Sequence, residues 1–123
     1  MNLLWVGIGG FLGANARYLL GGWISNRVGV FFPYGTLAIN ITGSFILGLF
    51  LSIALERAWL TPGWRLFFAT GFVGAYTTFS TFEYESMMLL REGQLLLFGA
   101  YFAGSVIIGL AAVLVGAALG QAI

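Results

Sequence analysis

The chain carries the run TTFSTF at residues 77–82, which combines four hydroxyl groups with two phenyl rings. The run stands near the middle of an apolar stretch, residues 66–90, where a lipid bilayer tolerates polar groups least. Hydroxyls donate hydrogen bonds, and the positive edge of a phenyl ring attracts a small anion while repelling a cation. We therefore predict that Phe79, Ser80, Thr81 and Phe82 line a pathway for a compact anion.

A second set of polar residues stands at helical spacing in another apolar stretch, with Thr36, Asn40 and Ser44 on one face. The Asn40 carboxamide offers two N–H donors, either to an ion or to a neighbouring helix as an interhelical clasp, and both roles stay open. Serine and threonine are weaker indications, because their hydroxyls can bond the carbonyl four residues earlier. Tyr101 and Ser105, also one helical turn apart, would extend the line of donors.

Three charged residues stand inside apolar stretches of the sequence. Arg17 is predicted to extend to the membrane interface, or alternatively to attract anions to a vestibule. Glu83 and Glu85 follow Phe82 closely and are expected to make interhelical hydrogen bonds or ion pairs. Carboxylates are poor ligands for an anion, so we do not assign them to the pathway.

Composition excludes most other chemistry. The chain is 60% hydrophobic and 7% charged, with a mean hydropathy of +0.99, so lipid must be its solvent. It contains no Cys, His, Lys or Asp, which excludes thiolate metal sites, imidazole bases and Schiff-base chemistry. We therefore expect no enzymatic activity. A net charge of +1 gives no reason to expect a nucleic acid partner.

The elements that must position these residues are four membrane spans in a single all-α domain, residues 1–123. The predicted spans are residues 3–24, 34–55, 66–90 and 95–119. The tryptophans that fall near span ends, as interfacial residues do, are Trp5, Trp23, Trp59 and Trp64. We expect an interruption of the third span near the bilayer midplane, because Gly71, Gly74 and the hydroxyl-rich run make a poor continuous helix.

Charge gives almost no preference for one membrane orientation. An even number of spans puts Arg57 and Arg65 on one side and Arg27 and Arg91 on the other. Either the chain inserts in a single orientation that its charges specify only weakly, or it inserts in both orientations. We favour insertion in both orientations, with oppositely inserted copies paired about a twofold axis. Faces of small residues would allow helices to approach closely, within one chain or between two. These faces contain Gly9 and Gly13; Ser44 and Gly48; and Ala112, Gly116 and Gly120.

Three motifs resemble the signature of the Fluc (CrcB) family of fluoride channels. They are TGFVGAYTTFSTF at residues 70–82 followed by Glu85, GTLAIN at residues 35–40, and Arg17. The likeness covers all four predicted spans. It implies an antiparallel, dual-topology homodimer with two pores in the bacterial plasma membrane. Such a dimer would export cytoplasmic fluoride passively.

The resemblance also implies residue roles. Phe79 and Phe82 would be the pore-lining phenylalanines and Asn40 a pore amide, while Ser80, Thr81, Tyr101 and Ser105 would border the pathway. Backbone carbonyls of Gly74 and Thr77 from both subunits would hold a structural Na⁺ at the dimer centre. The chain departs from the family where further hydroxyls are usual, at Gly109 and Val113, and where small residues are usual, at Glu83 and Tyr84.

Two other classes of function remain as alternatives. A proton-coupled small multidrug-type exporter can also be a four-span dual-topology dimer, but it needs a membrane-embedded carboxylate. Glu83 and Glu85 are the only candidates for that carboxylate. A subunit that assembles without transporting would leave the hydroxyl cluster of residues 77–82 unexplained.

Overall fold

The computed structural model describes residues 1–57 and 60–123, and within these ranges every regular element is helical, as predicted. Helices α1 (Asn2–Val28), α2 (Tyr34–Glu56) and α6 (Leu95–Ala122) are long and apolar enough to cross a membrane. Between α2 and α6 lie α3 (Pro62–Arg65), a π-helical segment (Leu66–Val73), α4 (Gly74–Tyr76) and α5 (Phe79–Arg91). Trp59, predicted to lie at a span end, falls outside the described residues, as does Ala58.

Glycines with positive φ end two of the helices. Helix α1 continues past the predicted span end to Val28, and Gly29 then adopts a φ of 83° while its N–H bonds Ser25 O at 2.8 Å. Gly93, with a φ of 73°, makes the turn between α5 and α6. A turn this short makes α5 and α6 antiparallel neighbours.

Helix α1 lies in direct backbone contact with the π-helical segment. A Cβ atom at Gly9 would overlap Phe67 O, and one at Gly13 would overlap Phe72 O. The close approach predicted from these two glycines is therefore confirmed, and it occurs within one chain. This contact fixes the position of α4, which follows the π-helical segment directly.

The outer surface of the bundle is apolar over most of its length. Leu19, Leu96 and Leu114, on three different turns of α1 and α6, are 68%, 86% and 61% exposed. A soluble protein rarely leaves so much contiguous apolar surface in water. The bundle is therefore built for lipid.

Candidate functional site

The helical path of the chain stops at Thr77 and Thr78. Thr77 has φ −79° and ψ 158°, and Thr78 has φ −147° and ψ 116°, so both residues are extended between α4 and α5. Thr78 caps α5, since its Oγ1 accepts a hydrogen bond from the Thr81 N–H at 3.4 Å. The Thr78 hydroxyl also donates to Thr81 Oγ1 at 3.0 Å. The Thr81 hydroxyl accepts this bond, so its own proton is left for another acceptor.

Asn40 holds the extended segment in place. Its Nδ2 donates to Thr78 O at 3.1 Å, and its Oδ1 accepts from Thr78 N at 2.8 Å. The clasp that sequence analysis left open for Asn40 is thus present, with the peptide backbone as its partner. The clasp uses one of the two N–H donors of the carboxamide, and the second can serve an ion.

The Asn40 clasp changes which backbone carbonyls at the end of α4 accept a hydrogen bond. Thr78 N would donate to Gly74 O in a continuous helix, but it donates to Asn40 instead. Ala75 O accepts a hydrogen bond from Arg17 Nε at 3.1 Å. Thr81 N donates to Thr78 Oγ1 rather than to Thr77 O. Among the described residues, the Gly74 and Thr77 carbonyls are therefore left without their helical donors.

Two cavities share Thr78 as a lining residue. The first, about 340 Å³ and here called the Arg17 cavity, is lined by Arg17, Thr36, Thr78, Thr81 and Glu85 among others. The second, about 280 Å³ and here called the Phe79 cavity, lies on the other side of the clasp. Its lining residues in the described chain are uncharged, and they include Asn40, Ser44, Thr77, Thr78, Phe79 and Phe82. The Arg17 cavity thus has charged groups of both signs in its lining, Arg17 against Glu85 and Glu92, while the Phe79 cavity offers dipoles only.

The two phenylalanines of the run differ in their environment. Phe79 is 73% exposed on the single chain, whereas Phe82 is 6% exposed. Their ring centroids lie 6.1 Å apart. The Phe82 ring packs against Tyr101 at 5.1 Å and Phe102 at 5.4 Å. Phe82 is therefore fixed by the bundle, and Phe79 projects from it.

The other predicted site residues differ in burial and in whether they have a hydrogen-bond partner. Tyr101 is fully buried and donates its hydroxyl proton to Glu85 Oε1 at 2.9 Å. Glu85 therefore makes the interhelical hydrogen bond expected of it, and the Tyr101 proton is not free for an ion. The Ser105 hydroxyl is buried and has no hydrogen-bond partner within the described ranges. Ser80 and Glu83 are exposed, and neither lines the two cavities described above.

Two positioning roles were not predicted from the sequence. Thr78 was part of the run, but its role as the cap of α5 and as the partner of Asn40 was not predicted. The signal was available, because threonine before a helix is a preferred cap. Thr42 lies 2.9 Å from the Tyr76 hydroxyl and donates to Ala38 O at 2.7 Å, so it ties the last residue of α4 to α2. No sequence pattern indicated that tie.

The fold and the site together define a multi-pass helical membrane protein whose uncharged polar cavity lies beside a helix end. The sequence matches the family model described as CrcB-like protein, Camphor Resistance (CrcB), over residues 4–117. The chain therefore belongs to the CrcB-like family.

Curated relatives match over nearly their whole length. The chain is 50% identical to the "Fluoride-specific ion channel FluC" of Acidobacterium capsulatum, covering 100% of this chain and 98% of the relative. It is 51% identical to the protein of that name from Koribacter versatilis, covering 98% of this chain and 95% of the relative. It is 47% identical to the protein of that name from Trichormus variabilis, covering 94% of this chain and 85% of the relative.

Proposed function

We propose that the chain is a fluoride-selective ion channel that lets cytoplasmic fluoride leave the cell passively. The name shared by relatives that match 94–100% of the chain supports this function. The structural observation that carries it is the Asn40 clasp, which holds Thr78 extended between the two cavities. A channel of this kind also needs none of the residue types that are absent from the sequence, which are Cys, His, Lys and Asp.

The groups around the clasp suit fluoride. Fluoride is small and strongly hydrated, so a pore must replace its water with several donors that bind it without trapping it. The remaining Asn40 N–H, the Thr81 hydroxyl and the ring edges of Phe79 and Phe82 are donors of this type. The N-terminus of α5 adds the positive end of a helix dipole at the same place.

The assembled form that we propose is an antiparallel, dual-topology homodimer in the bacterial plasma membrane. Residues 62–91 would form a further span, with the extended residues Thr77 and Thr78 near the midplane. Gly74 and Phe79 belong to the candidate site yet are exposed on the single chain. A second copy that covers them would complete the site and enclose the pathway.

We also propose a structural Na⁺ at the dimer centre. The Gly74 and Thr77 carbonyls have lost their helical donors, and neutral carbonyl oxygens are suitable ligands for a hard cation. One chain supplies two such carbonyls, so two copies would supply four. Bound there, the ion would satisfy these carbonyls and would add positive potential for anions nearby.

Fluoride efflux from liposomes tests the proposed function. Purified protein is reconstituted into liposomes loaded with potassium fluoride, and efflux is followed with a fluoride electrode after a potassium ionophore is added. We expect rapid efflux that requires the protein, while liposomes loaded with chloride retain it. Equal release of chloride and fluoride would contradict selectivity, and retention of both would contradict the channel function.

A further inference from the structure

Ser44 has a hydroxyl whose hydrogen-bonding capacity the bundle does not use. The hydroxyls of Thr42, Thr77 and Ser86 each donate to the carbonyl four residues earlier. Ser44 lies one turn from Asn40 on α2, but its hydroxyl makes no hydrogen bond to any residue in the ranges 1–57 and 60–123. It lines the Phe79 cavity beside Asn40. A hydroxyl at membrane depth gains from a hydrogen-bond partner.

The contact between α2 and α6 opens beside Ser44. Further along the two helices their backbones touch, because a Cβ at Gly48 would overlap Val113 O and one at Gly116 would overlap Phe45 O. At Gly109 the situation differs: the nearest atom to a Cβ built there is Ser44 Oγ, at 3.9 Å. Gly109 therefore leaves space next to the Ser44 hydroxyl.

A second hydroxyl stands close to this space without a partner. Ser105 lies one turn before Gly109 on α6, and its buried Oγ has no hydrogen-bond partner among the described residues. Buried polar groups are nearly always paired, so an unpaired one calls for a partner that is not part of the chain. The facing surfaces of α2 and α6 thus present two unpaired hydroxyls and a gap.

We propose that Ser44 is an anion-coordinating residue of the pathway, donating its hydroxyl proton to an ion that passes the Asn40 clasp towards α6. Ser44 would supply from α2 a donor at the level where α6 offers only Gly109. This inference rests on the proposed fluoride function. It assigns to Ser44 a direct contact with the permeating ion rather than a packing role.

The test compares fluoride efflux for the variants Ser44→Ala, Gly109→Ser and the double variant S44A/G109S. We expect S44A to lower efflux about fivefold, the factor that corresponds to one lost hydrogen bond. Because a Cβ at position 109 lies 3.9 Å from Ser44 Oγ, a serine there can place its hydroxyl close to the vacated position. The double variant should therefore regain most of the lost efflux.

Two controls separate this role from packing. Ser52→Ala removes a hydroxyl from the same face of α2, where the Ser52 Cβ lies 2.7 Å from a Cβ built at Gly120, and should leave efflux unchanged. S44A/G109A adds a methyl group at position 109 without a hydroxyl, and should stay as slow as S44A. The inference is overturned if S44A and the parent chain release fluoride at the same rate. It is also overturned if S44A/G109A regains as much efflux as S44A/G109S. A parent chain that releases no fluoride would refute the proposed function itself, and the Ser44 assignment with it.

Discussion

The Asn40 side chain and the Thr78 backbone close a pair of hydrogen bonds, with Nδ2 donating to Thr78 O at 3.1 Å and Oδ1 accepting from Thr78 N at 2.8 Å. Through this pair, a single side chain on α2 determines where α4 ends and α5 begins. Each half of the pair also satisfies a backbone group that would otherwise be unpaired in an apolar environment. The residue that we propose for the anion pathway therefore also sets the local course of the backbone.

Replacing Asn40 with Asp should lower fluoride efflux by at least about tenfold, because the change removes the Nδ2 donor and adds a negative charge beside an anion pathway. The measurement is the initial efflux rate from liposomes. Ser52→Ala, on the same helix but outside both cavities, serves as the control for general effects on α2. Efflux of the Asp variant close to that of the parent chain would contradict the role of Asn40.

Replacing Tyr101 with Phe should slow efflux because Glu85, which lines the Arg17 cavity, loses the hydroxyl that donates to it at 2.9 Å, and its carboxylate then repels anions there more strongly. Adding Glu85→Gln removes that charge and should restore efflux. The double variant thus distinguishes two causes of slow efflux. If the cause is repulsion by the Glu85 carboxylate, efflux recovers; if the cause is loss of the Tyr101 hydroxyl as a donor, efflux stays slow. A different result would favour a proton-coupled exporter. In that case efflux by the parent chain would depend on an imposed pH gradient, and the single variant E85Q would lose this dependence.

Replacing Gly43 with Ala should remove any effect of Na⁺ on stability. A Cβ at Gly43 would overlap the Thr77 side chain and shift the Thr77 carbonyl proposed as a Na⁺ ligand. We expect the parent protein to have a higher Tm in Na⁺ than in K⁺, and the variant to have the same lower Tm in both. The matched control is Gly7→Ala, since no atom of residues 1–57 or 60–123 lies within 4 Å of a Cβ there. A sodium effect retained in G43A would place the ion elsewhere.

Replacing Phe79 and Phe82 with Ile should separate permeation from stability. Phe79 is 73% exposed on the single chain, so F79I should lower efflux with little loss of stability. Phe82 is 6% exposed and packs against Tyr101 and Phe102, so F82I should lower efflux and also cost about 1–3 kcal/mol of stability. Efflux and thermal unfolding are measured on the same samples. Unchanged efflux in both variants would exclude the rings from the pathway.

A single introduced cysteine tests dual topology, because the chain contains none of its own. Val30, in the turn between α1 and α2, is 86% exposed, so Val30→Cys should be tolerated and accessible. We expect a membrane-impermeant maleimide to label about half of the molecules in intact cells, and the rest only after the membrane is opened. Labelling of all molecules, or of none, in intact cells indicates a single orientation.

The helical class and the location of the polar groups could be predicted from the sequence because both depend on local patterns. Long apolar stretches define the helices, and hydroxyls at regular spacing show which faces are polar. The Asn40 clasp could be stated only as an alternative, since its partner is a backbone group 38 residues away. The Tyr101–Glu85 hydrogen bond was equally out of reach: each residue could be placed on a helix, but not the pairing of their side chains.

The contact of Gly9 and Gly13 with the carbonyl oxygens of the π-helical segment has a consequence for how transport proceeds. Helices that meet backbone to backbone cannot slide or rotate against one another without separating first. A carrier that alternates between inward-open and outward-open forms needs such sliding or rocking in every cycle. The close backbone contact favours a rigid channel instead, in which ions pass without a conformational cycle of the protein.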